Sequence, residues 1–494
     1  MTNASIPLPR GFGVTLDAAT KELSDGSLFG GSPARVMRLT AAGRRALAEL
    51  RAGPIQSAEA AVLARRLTDA GIAHPVPPAA GPSGPLDVTI LIPVRDRAGM
   101  LRRCLAAVAG RYPVVVVDDG SADASEIAEA AARHGATVLR RQFGGGPAAA
   151  RNAGLAAIST DLVAFLDSDC VPPPGWIESL ALHLADPLVG AVAPRIVTLA
   201  PRTNVARYEQ ARGSLDLGDG TSRVVPGSRV AYVPTAALVV RRAALAAVTP
   251  GTESAGAADG RAVFDPALRY GEDVDLIWRL HEAGWRIRYQ PSVQVPHESP
   301  GTWPALLARR FRYGTSAAPL ARRHPANLAP LVIQPWAGAT VLAALGGRPV
   351  AALGGTVAAW LDIAAAVRRA GVPADGAPGA ALTAIRQTWL GFGRYASQFG
   401  APALLATLAA PPGKRAGRRV AAASLLLGPV LTAYAERRPQ LDPVRYALAH
   451  LADDVCYGTG VWAGCLRERT IVPVTPAISW RPVRITRPRT DGKV

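Results

Sequence analysis

Two acidic clusters in this sequence have residue types and spacing suited to chemistry. One is Asp167-Ser168-Asp169, which follows the apolar run Val163-Ala-Phe-Leu. The other is Glu272-Asp273 in Gly271-Glu-Asp-Val-Asp-Leu-Ile-Trp-Arg279. Carboxylate oxygens on a loop at a strand end suit a hard divalent cation such as Mg2+ or Mn2+. A carboxylate held beside a hydroxyl can take its proton as a general base. Three further features come before the second cluster. Ile92-Pro-Val-Arg-Asp96 and Val117-Asp-Asp-Gly-Ser-Ala-Asp123 each end an apolar run, and Gly145-Gly-Pro-Ala-Ala-Ala-Arg-Asn-Ala-Gly154 opens a helical stretch. Each feature alone is weak, because Asp-Asp-Gly-Ser is usually a turn and Asp-x-Asp recurs by chance. Together, in this order and at strand ends, they are hard to obtain otherwise.

The elements that must position these residues follow from the pattern of apolar runs. Val88–Pro93, Val114–Asp118 and Val163–Asp167 have the length and composition of buried strands. Helical stretches over Met100–Ala109, Ala124–Arg133 and Pro147–Ser159 separate them. This alternation predicts an α/β domain with a mixed, mostly parallel sheet flanked by helices. Such sheets bind ligands at the carboxyl ends of their strands, where the acidic residues fall.

On these motifs, residues 86–300 resemble a family-2 glycosyltransferase with the GT-A nucleotide-diphospho-sugar fold. The resemblance implies an inverting hexosyltransferase that uses Mg2+ or Mn2+. It implies a metal site at Asp167, Asp169 and His297, the last lying in Val295-Pro-His-Glu298. Donor nucleotide contacts are implied at Pro93, Arg95, Asp96, Asp118, Asp119, Arg151, Asp167 and Ser168. Asp273 resembles the family's general base, with Glu272 beside it. Arg312 and Tyr313 approximate the arginine–aromatic pair that serves the diphosphate and acceptor. Trp278 is placed near the acceptor groove, but core packing is the favoured role for it. Processive synthases carry Gln-x-x-Arg-Trp, whereas this chain has Arg309-Arg-Phe-Arg-Tyr313. Long-chain processivity is therefore not expected.

Further runs narrow the resemblance. Leu28-Phe-Gly-Gly-Ser-Pro33, Arg38-Leu-Thr-Ala-Ala-Gly43, Tyr232-Val-Pro-Thr-Ala-Ala-Leu-Val-Val-Arg-Arg242 and Arg310-Phe-Arg-Tyr-Gly-Thr-Ser-Ala-Ala-Pro-Leu-Ala321 are similar to the glycosyltransferases of mycofactocin systems. That family implies UDP-glucose as donor, a ribosomal-peptide-derived redox cofactor precursor as acceptor, and a short β-linked oligosaccharide as product. The alternative is a membrane-associated family-2 enzyme making a lipid-linked sugar or a cell-surface polysaccharide.

Four regions are expected. Residues 1–74 read as a small winged-helix-like module of short strands followed by helices, with a possible peptide-recognition role. Thr40 and Ser57 are the expected N-caps of its helices. Residues 75–85 hold five prolines and read as a stiff linker. Residues 86–300 form the catalytic domain. Residues 301–494 are helical, apolar and basic.

Charge follows the same division. The chain of 494 residues has a formal charge of +18. Residues 1–300 carry 31 basic and 29 acidic side chains, and residues 301–494 carry 24 and 8. Nucleic-acid binding through the first module is excluded by its small basic excess. In the last region, arginines such as Arg322, Arg323, Arg368, Arg369, Arg415, Arg437 and Arg438 flank apolar segments of marginal spanning length. That coincidence favours helices on an anionic membrane, and a place at the cytoplasmic face of a bacterial cell membrane. The cysteines, 104, 170, 456 and 465, form no CxxC and fit buried thiols in a reducing compartment.

Overall fold

The computed structural model describes residues 6–79, 84–249, 262–369, 377–409, 416–480 and 484–486. Part of the expected linker, residues 80–83, and Arg415 lie outside the described residues. The chain divides into two compact units. The first comprises Met1–Ala18, Ala41–Pro201 and Arg212–Ser299. The second comprises Ala19–Thr40, Arg202–Ala211 and Pro300–Val494.

An eight-stranded sheet organises the first unit. Its order is Ser222–Val224, Arg286–His297, Val189–Thr198, Ala237–Arg241, Leu162–Leu166, Val88–Val94, Val114–Asp119, Thr137–Arg141. The last four strands run parallel. Ala237–Arg241 is antiparallel to both its neighbours. The core strands are apolar on both faces, as helices on each side require. Ile90, Ile92, Val116, Leu101, Leu105, Ile127 and Leu180 pack in one buried cluster. Expected and observed bounds agree within a residue or two for the strands. The Arg151 helix ends earlier than expected, at Ala156. This is the GT-A architecture expected from the motifs.

The first module does not stand apart as a unit. Gly13–Leu16 pairs antiparallel with Ala73–Val76, so the start of the Pro-rich stretch is an edge strand. These strands and the helices Ala41–Ala52 and Ala58–Ala70 belong to the catalytic unit. Ser57 caps the second helix, its Oγ accepting from the Ala60 N–H at 3.1 Å. The reason for the union is ionic. Arg65 forks onto Asp186 at 2.7 and 2.8 Å, and Arg286 forks onto Asp69 at 2.7 and 2.6 Å. Four bonds of this kind fasten the helix to the sheet domain. The strands Lys21–Glu22, Leu28–Gly30 and Arg35–Met37 belong instead to the second unit, where Arg484–Thr486 adds beside Arg35–Met37.

The second unit is mainly helical. Its central packing is the pair Trp303–Thr315 and Pro443–Glu468. Small residues let the two backbones approach. A Cβ on Gly460 would meet the Phe311 carbonyl oxygen at 2.0 Å, and one on Gly314 would meet the Tyr457 oxygen at 2.2 Å. Arg310 pairs with Asp453 at 2.8 Å and the Tyr208 hydroxyl donates to Asp453 at 2.8 Å. We expect Gly460→Val to destabilise the chain by about 1–3 kcal/mol, and more if the helices separate, measured by chemical denaturation. Gly354→Ala, at a position with no atom within 4 Å of an added Cβ, is the control.

Candidate active site

The strand Val88–Val94 lies between Val114–Asp119 and Leu162–Leu166, so the chain leaves it toward opposite sides. Such a reversal of strand order opens a crevice at the carboxyl ends. Pro93 is half-buried there, and Arg95 and Asp96 are exposed just beyond it. Asp96 has a φ of 54°, in the left-handed region that aspartate tolerates. Its N–H donates to Ser121 Oγ at 3.0 Å, and its Oδ1 accepts from the Ala122 N–H at 2.6 Å.

Asp118 and Asp119 are both buried and do structural work. Asp118 accepts from the Ser121 N–H at 2.9 Å and pairs with Arg140. Asp119 accepts from the N–H groups of Gly145 and Gly146 at 3.0 and 2.7 Å and pairs with Arg141. These two carboxylates hold the loops at the rim of the crevice. Gly120, at φ 71°, permits the closest approach, since a Cβ there would lie 2.7 Å from the Gly144 nitrogen.

Arg151, expected at the donor nucleotide, is buried, and two of its guanidinium nitrogens donate to carboxylates. Nη2 donates to Asp167 Oδ1 and Nη1 to Glu272 Oε1, each at 2.8 Å. The guanidinium also stacks over the Phe264 ring at 5.6 Å. Asn152 fixes the Phe264 segment by donating to its carbonyl and accepting from its N–H, at 2.7 and 2.9 Å. Arg151 therefore joins the two acidic clusters to each other. Burial opposes its charge, yet Asp167, Glu272 and Asp273 hold it protonated above its ordinary range.

The acids respond to the same surroundings. Burial raises Asp167, in spite of Arg151. Burial also pushes against ionisation of Asp169, but His297 and Arg97 overcome it and lower its pKa. Arg97 Nη1 donates to Asp169 Oδ2 at 2.9 Å, and His297 Nε2 lies 3.5 Å from Asp169 Oδ1. Two backbone bonds fix this turn: Asp167 N–H to the Ala236 oxygen at 2.9 Å, and Glu298 N–H to the Asp169 oxygen at 3.0 Å. Ser168 is buried within it.

Among the described residues, no group of three or more carboxylate, imidazole or thiol side chains is placed to hold a metal ion. Asp169 and His297 form an adjacent pair of donors in an open site, with Asp167 across the turn. A hard cation that keeps waters and takes phosphate oxygens needs no more protein ligands than these. The donor set therefore fits Mg2+ or Mn2+.

Glu272 and Asp273 open the helix Glu272–Glu282, where N-terminal acids are favoured. Burial raises Glu272. Burial, and then the neighbouring Glu272 charge, push Asp273 up to about 7. Its Oδ1 accepts from the Val274 N–H at 2.8 Å. Asp275 is fully buried and takes the Nε of Arg279 at 2.8 Å, a structural pair. Trp278 is also buried, its indole N–H donating to the Ala231 carbonyl at 2.9 Å. Trp278 occupies a core position, the role favoured for it from the sequence, because the face of the helix that carries it packs inward. Arg312 and Tyr313 lie in the second unit, near the end of Trp303–Thr315, with Arg312 exposed.

These features define a nucleotide-sugar transferase, and residues 89–246 match the family model for glycosyl transferase family 2. The chain is 42% identical to the pre-mycofactocin glycosyltransferase of Mycobacterium tuberculosis, covering 95% of this chain and 98% of that protein. It belongs to the pre-mycofactocin glycosyltransferase family. A glycosyltransferase of Haloferax volcanii is 29% identical over 46% of this chain and 71% of its own length. A solved mannosyltransferase of Pyrobaculum calidifontis, in complex with GDP-Man and Mn2+, aligns with 20% identity and a TM-score of 0.42, covering 76% of this chain and 89% of that chain.

The Arg151 bridge carries a stability prediction. Arg151→Met leaves Asp167 and Glu272 facing each other without compensation. Its loss should cost roughly 3–5 kcal/mol in denaturant unfolding. Equal stability of the variant and the parent would show that the bridge holds nothing.

Proposed function

We propose that the enzyme transfers a hexose, glucose from UDP-glucose, with inversion to a peptide-derived cofactor precursor and extends it as a short β-linked oligosaccharide. The observation that carries the acceptor is the 42% identity along nearly the full chain to a pre-mycofactocin glycosyltransferase. The chemistry rests on Asp273. A carboxylate with its pKa near 7 is matched to taking a proton from an acceptor hydroxyl at neutral pH.

In this reading Asp273 accepts the hydroxyl proton as the new glycosidic bond forms. Glu272 keeps Asp273 basic by its adjacent charge, and Arg151 keeps Glu272 and Asp167 in place. Asp169 and His297, with Asp167 opposite, hold Mg2+ or Mn2+, which when bound takes up charge on the departing diphosphate. Arg95 and Asp96, open at the rim, face the donor.

We place the enzyme at the cytoplasmic face of the cell membrane. The helix Pro349–Arg369 is apolar enough and long enough to cross a bilayer, with only 22% of its apolar window buried. Val350 and Leu353 are among its exposed side chains, and Arg368 and Arg369 lie in its last turn. An apolar face ending in arginines suits anionic lipid.

Purified enzyme, Mn2+, UDP-glucose and the precursor peptide should yield hexose increments by mass spectrometry. Activity on a lipid phosphate and none on the precursor would favour the alternative reading instead. Asp273→Asn should abolish transfer while leaving UDP affinity nearly unchanged by calorimetry. The sign of the pH dependence follows from the base. Below its pKa Asp273 is protonated and inert, so kcat/KM should rise with pH through about 7. Flotation with vesicles should show binding to anionic but not zwitterionic lipid, weakened in Arg368→Glu/Arg369→Glu.

A further inference from the structure

A second cluster of charge lies away from the catalytic crevice, where the helix Ala58–Ala70 meets the strand Arg286–His297. At its centre is Arg288, among the largest fully buried side chains of the chain. None of its three guanidinium nitrogens has a hydrogen-bond partner. Arg65 and Arg223 add positive charge around it, and the carboxylates that act on it are Asp69 and Asp186, with Asp17 further off beyond His74. Both carboxylates are already occupied: Asp186 by Arg65 and by the Leu188 N–H, and Asp69 by Arg286.

The remaining polar atoms offer little to balance the excess. Arg286 Nη1 and the Nδ1 atoms of His183 and His74 are likewise buried without partners. Burial and the Arg288 charge push His183 down to about 4, so it stays neutral beside the guanidinium. Burial, ahead of its like-charged neighbours, brings Arg288 itself down to about 10. A buried charge that lacks both counter-ion and hydrogen bonds costs several kcal/mol. A neutral imidazole offers at most one acceptor nitrogen, so the guanidinium N–H groups still outnumber the acceptors around them, which is the chemistry of an anion site.

We propose that a small monovalent anion of chloride size binds here, ligated by the Arg288 guanidinium. It fastens the leading helices to the catalytic sheet at the seam that the Arg65–Asp186 and Arg286–Asp69 pairs already define. An anion that binds only the folded chain raises its stability by mass action.

The test is thermal unfolding of the full chain at fixed ionic strength, exchanging gluconate, too bulky for the site, for chloride. The parent should show a saturable upward shift of Tm by several degrees, and Arg288→Met should show none. In gluconate alone the variant should be the more stable of the two, since it removes an unpaired buried charge. A parent Tm that ignores chloride, or equal chloride responses in both proteins, would overturn the proposal and leave the guanidinium to buried water. If Arg288→Met does not fold, crystals of the parent soaked in bromide decide. An anomalous peak within hydrogen-bond reach of Arg288 supports the site, and its absence rejects it.

Discussion

The catalytic unit turns on one buried guanidinium. Asp167 ends a strand in the middle of the sheet, and Glu272 starts a helix contributed by sequence far downstream. Both are drawn into one crevice, with Asp273 adjacent, and three carboxylates in partial burial repel one another. Arg151 makes the arrangement possible by giving one hydrogen bond at 2.8 Å to each of two of them. Its own placement depends on the preceding glycines, whose amides are held by Asp119. Loop, helix and both acidic motifs thus form one hydrogen-bonded assembly.

Within that assembly the acids divide into two kinds. Asp118, Asp119 and Asp275 are consumed by neighbouring amides and arginines and give the crevice its shape. Asp169 and Asp273 are pushed in opposite directions by their environments. Burial opposes ionisation of Asp169, but His297 and Arg97 overcome it and lower its pKa. Burial, and then the Glu272 charge, raise Asp273 to about 7. Separation of pKa values by environment is what allows carboxylates of one crevice to take different tasks.

Much of this was legible in the sequence. The strands ending at Val94, Asp119 and Leu166 announce themselves as apolar runs, and the acids that follow them fall where parallel sheets bind ligands. The bridge made by Arg151 was not legible, because spacing shows that a side chain begins a helix and not which way its guanidinium turns. Trp278 was ambiguous for a similar reason: an aromatic residue near a catalytic acid suits a groove or a core until its helix is packed. The attachment of the first helices to the catalytic unit was hidden. Arg65, Asp69, Asp186 and Arg286 are unremarkable singly, and their pairing spans up to 217 residues. Pairings of that separation leave no local pattern.

The antiparallel strand Ala237–Arg241 has a consequence for how the protein is made. It lies beside Leu162–Leu166, and the preceding Ala236 carbonyl receives the Asp167 amide. His297 and Glu272 come later still. On the ribosome, where synthesis runs at about 5–20 residues per second and domains fold as units, the first two-thirds of the catalytic unit emerges before any of these partners. The nascent chain can form its parallel strands early, but the turn bearing the acids gains its backbone anchor only after Ala236 appears. The anchored turn is thus deferred to the end of the catalytic unit's synthesis, and an incomplete chain carries the motif without its backbone anchor.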